Sequence, residues 1–293
     1  MKHTILGAGA IGGLLGTALA SAGNDVSVIV RQEKRAHYPE TLTLNRPADT
    51  LRAKVKVISE LSEATDVLWI ATKTYQLEDA LHSAFSVPPA VVPLLNGIDH
   101  VALLRSRYGH DRVIPATIAV EAESVADGHF VQRTPVRLNI AGSGEPLLAG
   151  TAQELRGLGF LCSFIANEET LLWSKLCFLG PFALVTSASG MNIGGIQANA
   201  EWKTTLDQAF AEARAVAEAY GAQIDPARTQ AIIDASGPGM RSSMAKDLAA
   251  GRPLELDGIA RPILRGAAQR GVPVPTTTRL VKQVEELARA ARS

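Results

Sequence analysis

The chain has 293 residues and a mass of 31.0 kDa, longer than one ordinary domain of about 100–200 residues, so two domains are expected and a small disulfide- or metal-stapled scaffold is excluded. Hydrophobic residues make up 46% and charged residues 20%, enough apolar side chains for a core and a balance that excludes intrinsic disorder. The 29 basic and 29 acidic residues cancel, leaving no global field for nucleic acid or an anionic membrane, so any anion must be met by a local site.

In chain order, Met1-Lys2-His3 passes at once into the run 4–6, without the roughly 7–15 apolar residues of a secretory h-region, and cytoplasmic residence is the expectation. Apolar, β-branched runs at 4–6, 25–30, 67–71, 91–95 and 113–117 read as strands buried on both faces. Helical spacing occupies 11–22, 76–85 and 100–108 between them, the βαβα rhythm of a doubly wound parallel sheet. Residues 120–140 read as antiparallel strands at the far edge of that sheet. Cys162 and Cys177 lie in apolar surroundings without metal-ligand spacing and read as buried thiols.

From 167 onward the strand texture disappears. Leu206, Ala209, Phe210, Ala213, Val216, Ala217 and Tyr220 mark one long amphipathic helix over 201–220, stopped at Gly221. Further helices are expected at 226–235, 242–250, 256–270 and 278–291, punctuated by glycine and proline. The chain therefore divides into an α/β domain, 1–166, and an all-helical domain, 167–293, with no long linker between them. Residues 176–200 carry no formal charge, yet Pro181, Gly190, Asn192, Gly194 and Gly195 break the second half, so the stretch reads as a cleft lining rather than a membrane span.

Gly7-Ala8-Gly9-Ala10-Ile11-Gly12 is GxGxxG placed between a strand and a helix. The first glycine allows the tight turn, the second the approach of a pyrophosphate to backbone, and the third close helix–strand packing, which makes the first domain Rossmann-type. A ribose-binding carboxylate would stand at the end of the second strand; Arg31 stands there instead, followed by Lys34 and Arg35, which suits the 2′-phosphate of NADP(H). A solvated basic loop is the plainer reading, and Glu33 among the basic residues keeps it open. Lys73 and Asn96 follow two further strands and point to the crevice where open α/β sheets bind ligands. Lys175 is either a snorkelling surface lysine or, facing an apolar cleft, a desolvated proton donor. The six histidines have no metal-like spacing, and no metal site is expected.

Together these residues resemble the ketopantoate reductase (2-dehydropantoate 2-reductase) family nearly end to end: GAGAIGG at 7–13, Arg31, TKTYQ at 72–76, NGI at 96–98, WSKL at 173–176, SSMAKD at 242–247, Glu255 and GVPVPTT at 271–277. The resemblance implies that Arg31 and Lys73 meet the adenosine phosphate end of NADPH and that Asn96 lies near the nicotinamide. It implies that Lys175 protonates the ketone oxygen, that Ser243 binds substrate, and that Glu255 lies near cofactor and substrate. The chain departs from the family where asparagines follow the lysine by four and eight residues; here the substrate-facing positions are Leu179 and Ala183.

The expectation is an NADPH-dependent reductase of a small carbonyl substrate, a 2-oxo acid such as ketopantoate, with Lys175 as general acid. The alternatives are a reductase of a less polar ketone or imine received by Leu179 and Ala183, and a non-catalytic NADP-binding protein. A homodimer is expected on the frequency of symmetric dimers.

Overall fold

The computed structural model describes residues 1–291 and divides into two compact units, Met1–Leu95 with His100–Glu168, and Asn96–Asp99 with the chain from Glu169 onward. The first unit is built on β1 (Lys2–Leu6), β2 (Asp25–Ile29), β3 (Thr41–Asn45), β4 (Thr50–Lys54), β5 (Lys56–Ile58), β6 (Val67–Ile70) and β7 (Ala90–Pro93). It continues through β8 (Ala116–Ala119), β9 (Ala122–Ala126), β10 (His129–Gln132), β11 (Arg137–Ala141) and β12 (Leu161–Ile165). Its helices are α1 (Ala10–Ser21), α2 (Gln32–Arg35), α3 (Leu77–Leu81), α4 (His100–Tyr108) and α5 (Glu145–Gly157).

The central sheet is parallel, in the order β5-β2-β1-β6-β7, so the strand order reverses between β1 and β6, beside the loop that leads into α1. β1 and β6 are almost wholly buried, which is why their sequences run apolar without alternation.

Residues 120–140 were expected as antiparallel strands at the far edge of this sheet, and only β11 fits: it runs antiparallel to β8, just past the Val113–Val91 bridge to β7. β9 and β10 join β3 and β4 in a separate four-stranded sheet, β4-β3-β10-β9, while β11 pairs with β8 and β12 in a three-stranded one. The physical reason lies in Phe130 of β10, fully buried against α1: a Cβ on Gly13 would overlap its ring. α1 is thus packed both on this sheet and, through Gly16, on Ile5 and Val28 of the parallel sheet.

The second unit holds α6 (Glu168–Ser189), α7 (Ile193–Ala198), α8 (Ala200–Ala219), α9 (Pro226–Asp234), α10 (Ser243–Ala249), α11 (Leu256–Ile259), α12 (Arg261–Arg270) and α13 (Pro275–Ala290). Two sequence expectations are corrected here. Pro181 does not end the helix: α6 continues through it to Ser189, although proline has no N–H to offer the preceding turn. Burial explains the continuation, because Phe182, Ala183, Leu184 and Val185 on either side of the next turn are all within 2% of full burial. The expected helix over 256–270 is two helices, interrupted at Ala260, with Pro262 in the first turn of the second.

α6 is long and apolar enough to cross a membrane by length and composition, but 72% of that window is buried inside the protein, as in a core helix. Glu212 of α8 accepts hydrogen bonds from the backbone N–H groups of Thr276 and Thr277, both at 2.8 Å, and so caps α13. Both cysteines are free and buried.

Candidate active site

Gly7-Ala8-Gly9-Ala10-Ile11-Gly12 links β1 to α1. Gly7 has φ +106°, and a Cβ there would come within 2.8 Å of the Ala71 backbone at the end of β6. Gly12 packs directly under the Gly7 carbonyl oxygen, leaving no room for a side chain. Gly9 differs from both: nothing lies within 4 Å of the position its Cβ would take. It is also the N-cap of α1, with no side chain bonded to the first-turn N–H groups and no acidic residue in that turn. An open backbone concavity in front of unmet helix N–H donors fits the pyrophosphate of a dinucleotide. Tyr38, buried, donates to the Ala8 carbonyl at 3.4 Å and backs the loop.

Arg31 directly follows Val30 and is the N-cap of α2, exposed, and among the described residues its guanidinium has no ion-pair partner. Lys34, grouped with it in the sequence reading, is engaged elsewhere, 2.9 Å from Asp127. Lys73 is half-buried, at the turn that follows β6.

In the helical unit Lys175 stands on α6 and Glu255 at the start of α11, and these two elements are in contact. Gly180 lets the two elements approach, its Cβ position lying 2.6 Å from Ile263 Cδ1 and 3.0 Å from the Ile259 carbonyl. Glu255, the N-cap of α11, is 4% exposed, and Asn96 Nδ2 donates to its Oε2 at 3.5 Å. Lys175 is half-buried on α6; desolvation draws its pKa down from 10.5 to about 8, against the opposing pull of the Glu255 charge. Trp173 anchors this turn of α6, donating to Glu169 at 3.1 Å and stacking on Tyr220 at 5.4 Å.

Leu179 lies one turn beyond Lys175 on the same helix face and is partly exposed. Ala183 is a different matter. It has no accessible surface and packs in the apolar core with Leu206, Ile259 and Leu280, so it lines no open wall in this structure. Ser243 opens α10 and is exposed; its neighbour Ser242 is the buried N-cap, accepting from Ala245 N at 3.0 Å and bonded to Thr186 at 2.7 Å. Of the other polar residues near the end of α6, Ser189 bonds Val185 O at 2.7 Å and Asn192 caps α7 at 2.8 Å, which leaves both structurally occupied. No group of three or more metal-ligating side chains is present among the described residues.

A parallel sheet with an open glycine loop at its switch point, followed by a helical unit carrying a desolvated lysine beside a buried carboxylate, defines an oxidoreductase that uses a nicotinamide dinucleotide on a C=O/CH–OH group. Residues 3–144 match the sequence model of the family "Ketopantoate reductase PanE/ApbA", and 167–288 match its C-terminal counterpart. The chain belongs to the ketopantoate reductase family. It is 28% identical over 288 residues to the 2-dehydropantoate 2-reductase of Caulobacter vibrioides, covering 94% of this chain and 96% of that one. Its structure is similar to the ketopantoate reductase of Ralstonia eutropha JMP134, with a TM-score of 0.88, 25% identity and full coverage of both chains. It is also similar in fold to a D-mandelate dehydrogenase solved with NADH and anilino(oxo)acetate, with a TM-score of 0.87, 22% identity and full coverage of both.

Proposed function

We propose that this protein reduces a 2-oxo acid with NADPH, ketopantoate to pantoate being the reaction its family supports. The observation that carries the reading is the amine of Lys175, desolvated to a pKa of about 8 and within electrostatic reach of the buried Glu255. An ammonium with that pKa is still protonated at neutral pH, yet gives up its proton far more readily than an exposed lysine. When bound, the reduced nicotinamide supplies the hydride. Lys175 then delivers its proton to the ketone oxygen as negative charge develops there, and Glu255 and Asn96 orient the substrate. The glycine loop and the first turn of α1 hold the pyrophosphate, and Arg31, standing where a ribose-binding carboxylate would favour NAD(H), grips the 2′-phosphate with Lys73.

A second reading keeps the chemistry and alters the substrate. Leu179 presents an apolar side chain one turn from Lys175 and cannot bond a hydroxyl, which favours a carbonyl compound with a less polar substituent. The D-mandelate dehydrogenase with the same fold was solved with anilino(oxo)acetate, an oxoacetate that carries an apolar aromatic group, which gives this reading a chemical precedent.

The test is NADPH oxidation by purified protein with ketopantoate and with aryl- and alkyl-substituted 2-oxo acids, for wild type and Lys175→Ala. Turnover unaffected by Lys175→Ala sinks the mechanism. Higher kcat/KM for the aryl acids than for ketopantoate selects the second reading, and the reverse order selects the first.

A further inference from the structure

Asn96 and Glu255 are far apart in sequence, and one side chain outside the reacting groups joins the segments that carry them. Asn96–Asp99 belongs to the helical unit although the chain on either side of it belongs to the other. Gly97, at φ +87°, lies so close to the Gly258 carbonyl of α11 that no side chain fits between them. Arg265 of α12 then bonds both sides of this contact: its Nη2 donates to Asp99 Oδ2 at the end of the loop and to the Asp257 carbonyl of α11 at 3.1 Å.

We propose that Arg265 is a positioning residue that holds the Asn96 amide and the Glu255 carboxylate in register by tying the 96–99 loop to α11. The inference rests on the assignment of Asn96 and Glu255 to the substrate site. Arg265 and Asp99 are about half-exposed, at 47% and 52%, and a pair so exposed contributes little to folding. Its geometric effect is larger than its energy, because one guanidinium fixes two backbone segments that present adjacent polar groups. Arg261, on the same helix and equally exposed at 48%, supplies an internal control: among the described residues it pairs with the Asp257 carboxylate and with Glu285, not with the 96–99 loop.

The experiment compares Arg265→Ala, Arg265→Lys, Asp99→Asn and Arg261→Ala, using whichever 2-oxo acid the wild type reduces, with NADPH affinity measured by fluorescence. Arg265→Ala is expected to lower kcat about 10- to 100-fold with NADPH affinity unchanged. Arg265→Lys, which keeps the positive charge but is shorter and lacks the fork, is expected to recover only part of that loss, and Arg261→Ala to stay within about twofold of wild type. Should Arg265→Ala fail to fold, Asp99→Asn, which weakens only the loop side of the clamp, is expected to lower kcat in the same sense. A crystal structure of the Arg265→Ala or Asp99→Asn protein is expected to show Asn96 beyond hydrogen-bond reach of Glu255. Equal losses in Arg265→Ala and Arg261→Ala, or an unmoved Asn96–Glu255 pair, overturn the proposal. If the wild type reduces no 2-oxo acid, the proposed function falls, and the crystallographic comparison decides the clamp by itself.

Discussion

The Asn96 amide stands 3.5 Å from a Glu255 carboxylate oxygen, although 159 residues separate the two in the chain. The same carboxylate acts on Lys175, raising a pKa that desolvation lowers. Burial dominates, and the balance leaves a lysine whose protonation changes within the range where the enzyme can be assayed.

The first prediction concerns that protonation. A general acid must carry its proton when the ketone is reduced, so kcat/KM for reduction, which follows the free enzyme, is expected to be level below about pH 8 and to fall as pH rises through it. Lys175→Arg keeps a positive charge that does not titrate in this range, so its much lower rate is expected to lose the break near 8. A wild-type profile flat to pH 10 would contradict the assigned role, the measurement being initial rates of NADPH oxidation across the series.

Leu179→Asn supplies a donor and acceptor one turn from Lys175. If the apolar side chain selects the substrate, the variant is expected to gain on ketopantoate and lose on aryl 2-oxo acids, shifting the ratio of their kcat/KM values by about 10- to 100-fold. Ala183→Asn serves as the contrast: with no accessible surface at Ala183, it is expected to destabilise the core rather than alter specificity.

Much of this was legible in the sequence where local pattern and chemistry coincide. The glycine loop, Arg31 and the helices over 201–220, 226–235, 242–250 and 278–291 follow from spacing and residue type, whereas the roles expected of Lys175, Ser243 and Glu255 come from the resemblance to the family, because a lone lysine, serine or glutamate carries no local signal. The four-stranded sheet was not, because β4 alternates half-buried with exposed positions and β9 is almost wholly exposed, so neither carries the apolar run of a buried strand. Gly13 had a packing reason that only Phe130, brought to it by that sheet, discloses. The pairing of Arg265 with Asp99 was equally invisible, since neither residue has a local signal and their meeting depends on the contact of Gly97 with Gly258.

The glycine loop separates two kinds of requirement. Gly9→Ala is expected to fold with an unchanged Tm, since the new Cβ meets nothing within 4 Å and Gly9 has φ −81°, yet to weaken dinucleotide binding because the methyl enters the concavity. Gly12→Ala drives its methyl into the Gly7 carbonyl and is expected to lower Tm as well as binding. Thermal melts with and without NADPH check both, and a Gly9→Ala protein that binds NADPH as tightly as wild type would remove the loop from the cofactor site.

His3 carries a prediction about stability rather than catalysis. It is 1% exposed on β1, and its Nδ1 accepts a hydrogen bond from Trp69 Nε1 at 3.1 Å, so the neutral ring carries its proton on Nε2. Burial first, and then the nearby N-terminal charge, lower its pKa from 6.5 to about 4. The unfolded chain therefore takes up a proton near pH 6.5 that the folded protein refuses until about 4. Stability from this residue is complete above 6.5, falls as pH drops through that interval, and levels off below about 4, a total on the order of 3 kcal/mol. His3→Gln retains an acceptor for Trp69 without a titrating ring. Urea melts across this range are expected to show a steeper loss of stability for wild type than for His3→Gln, and parallel curves would mean that His3 is protonated or solvated in the folded protein.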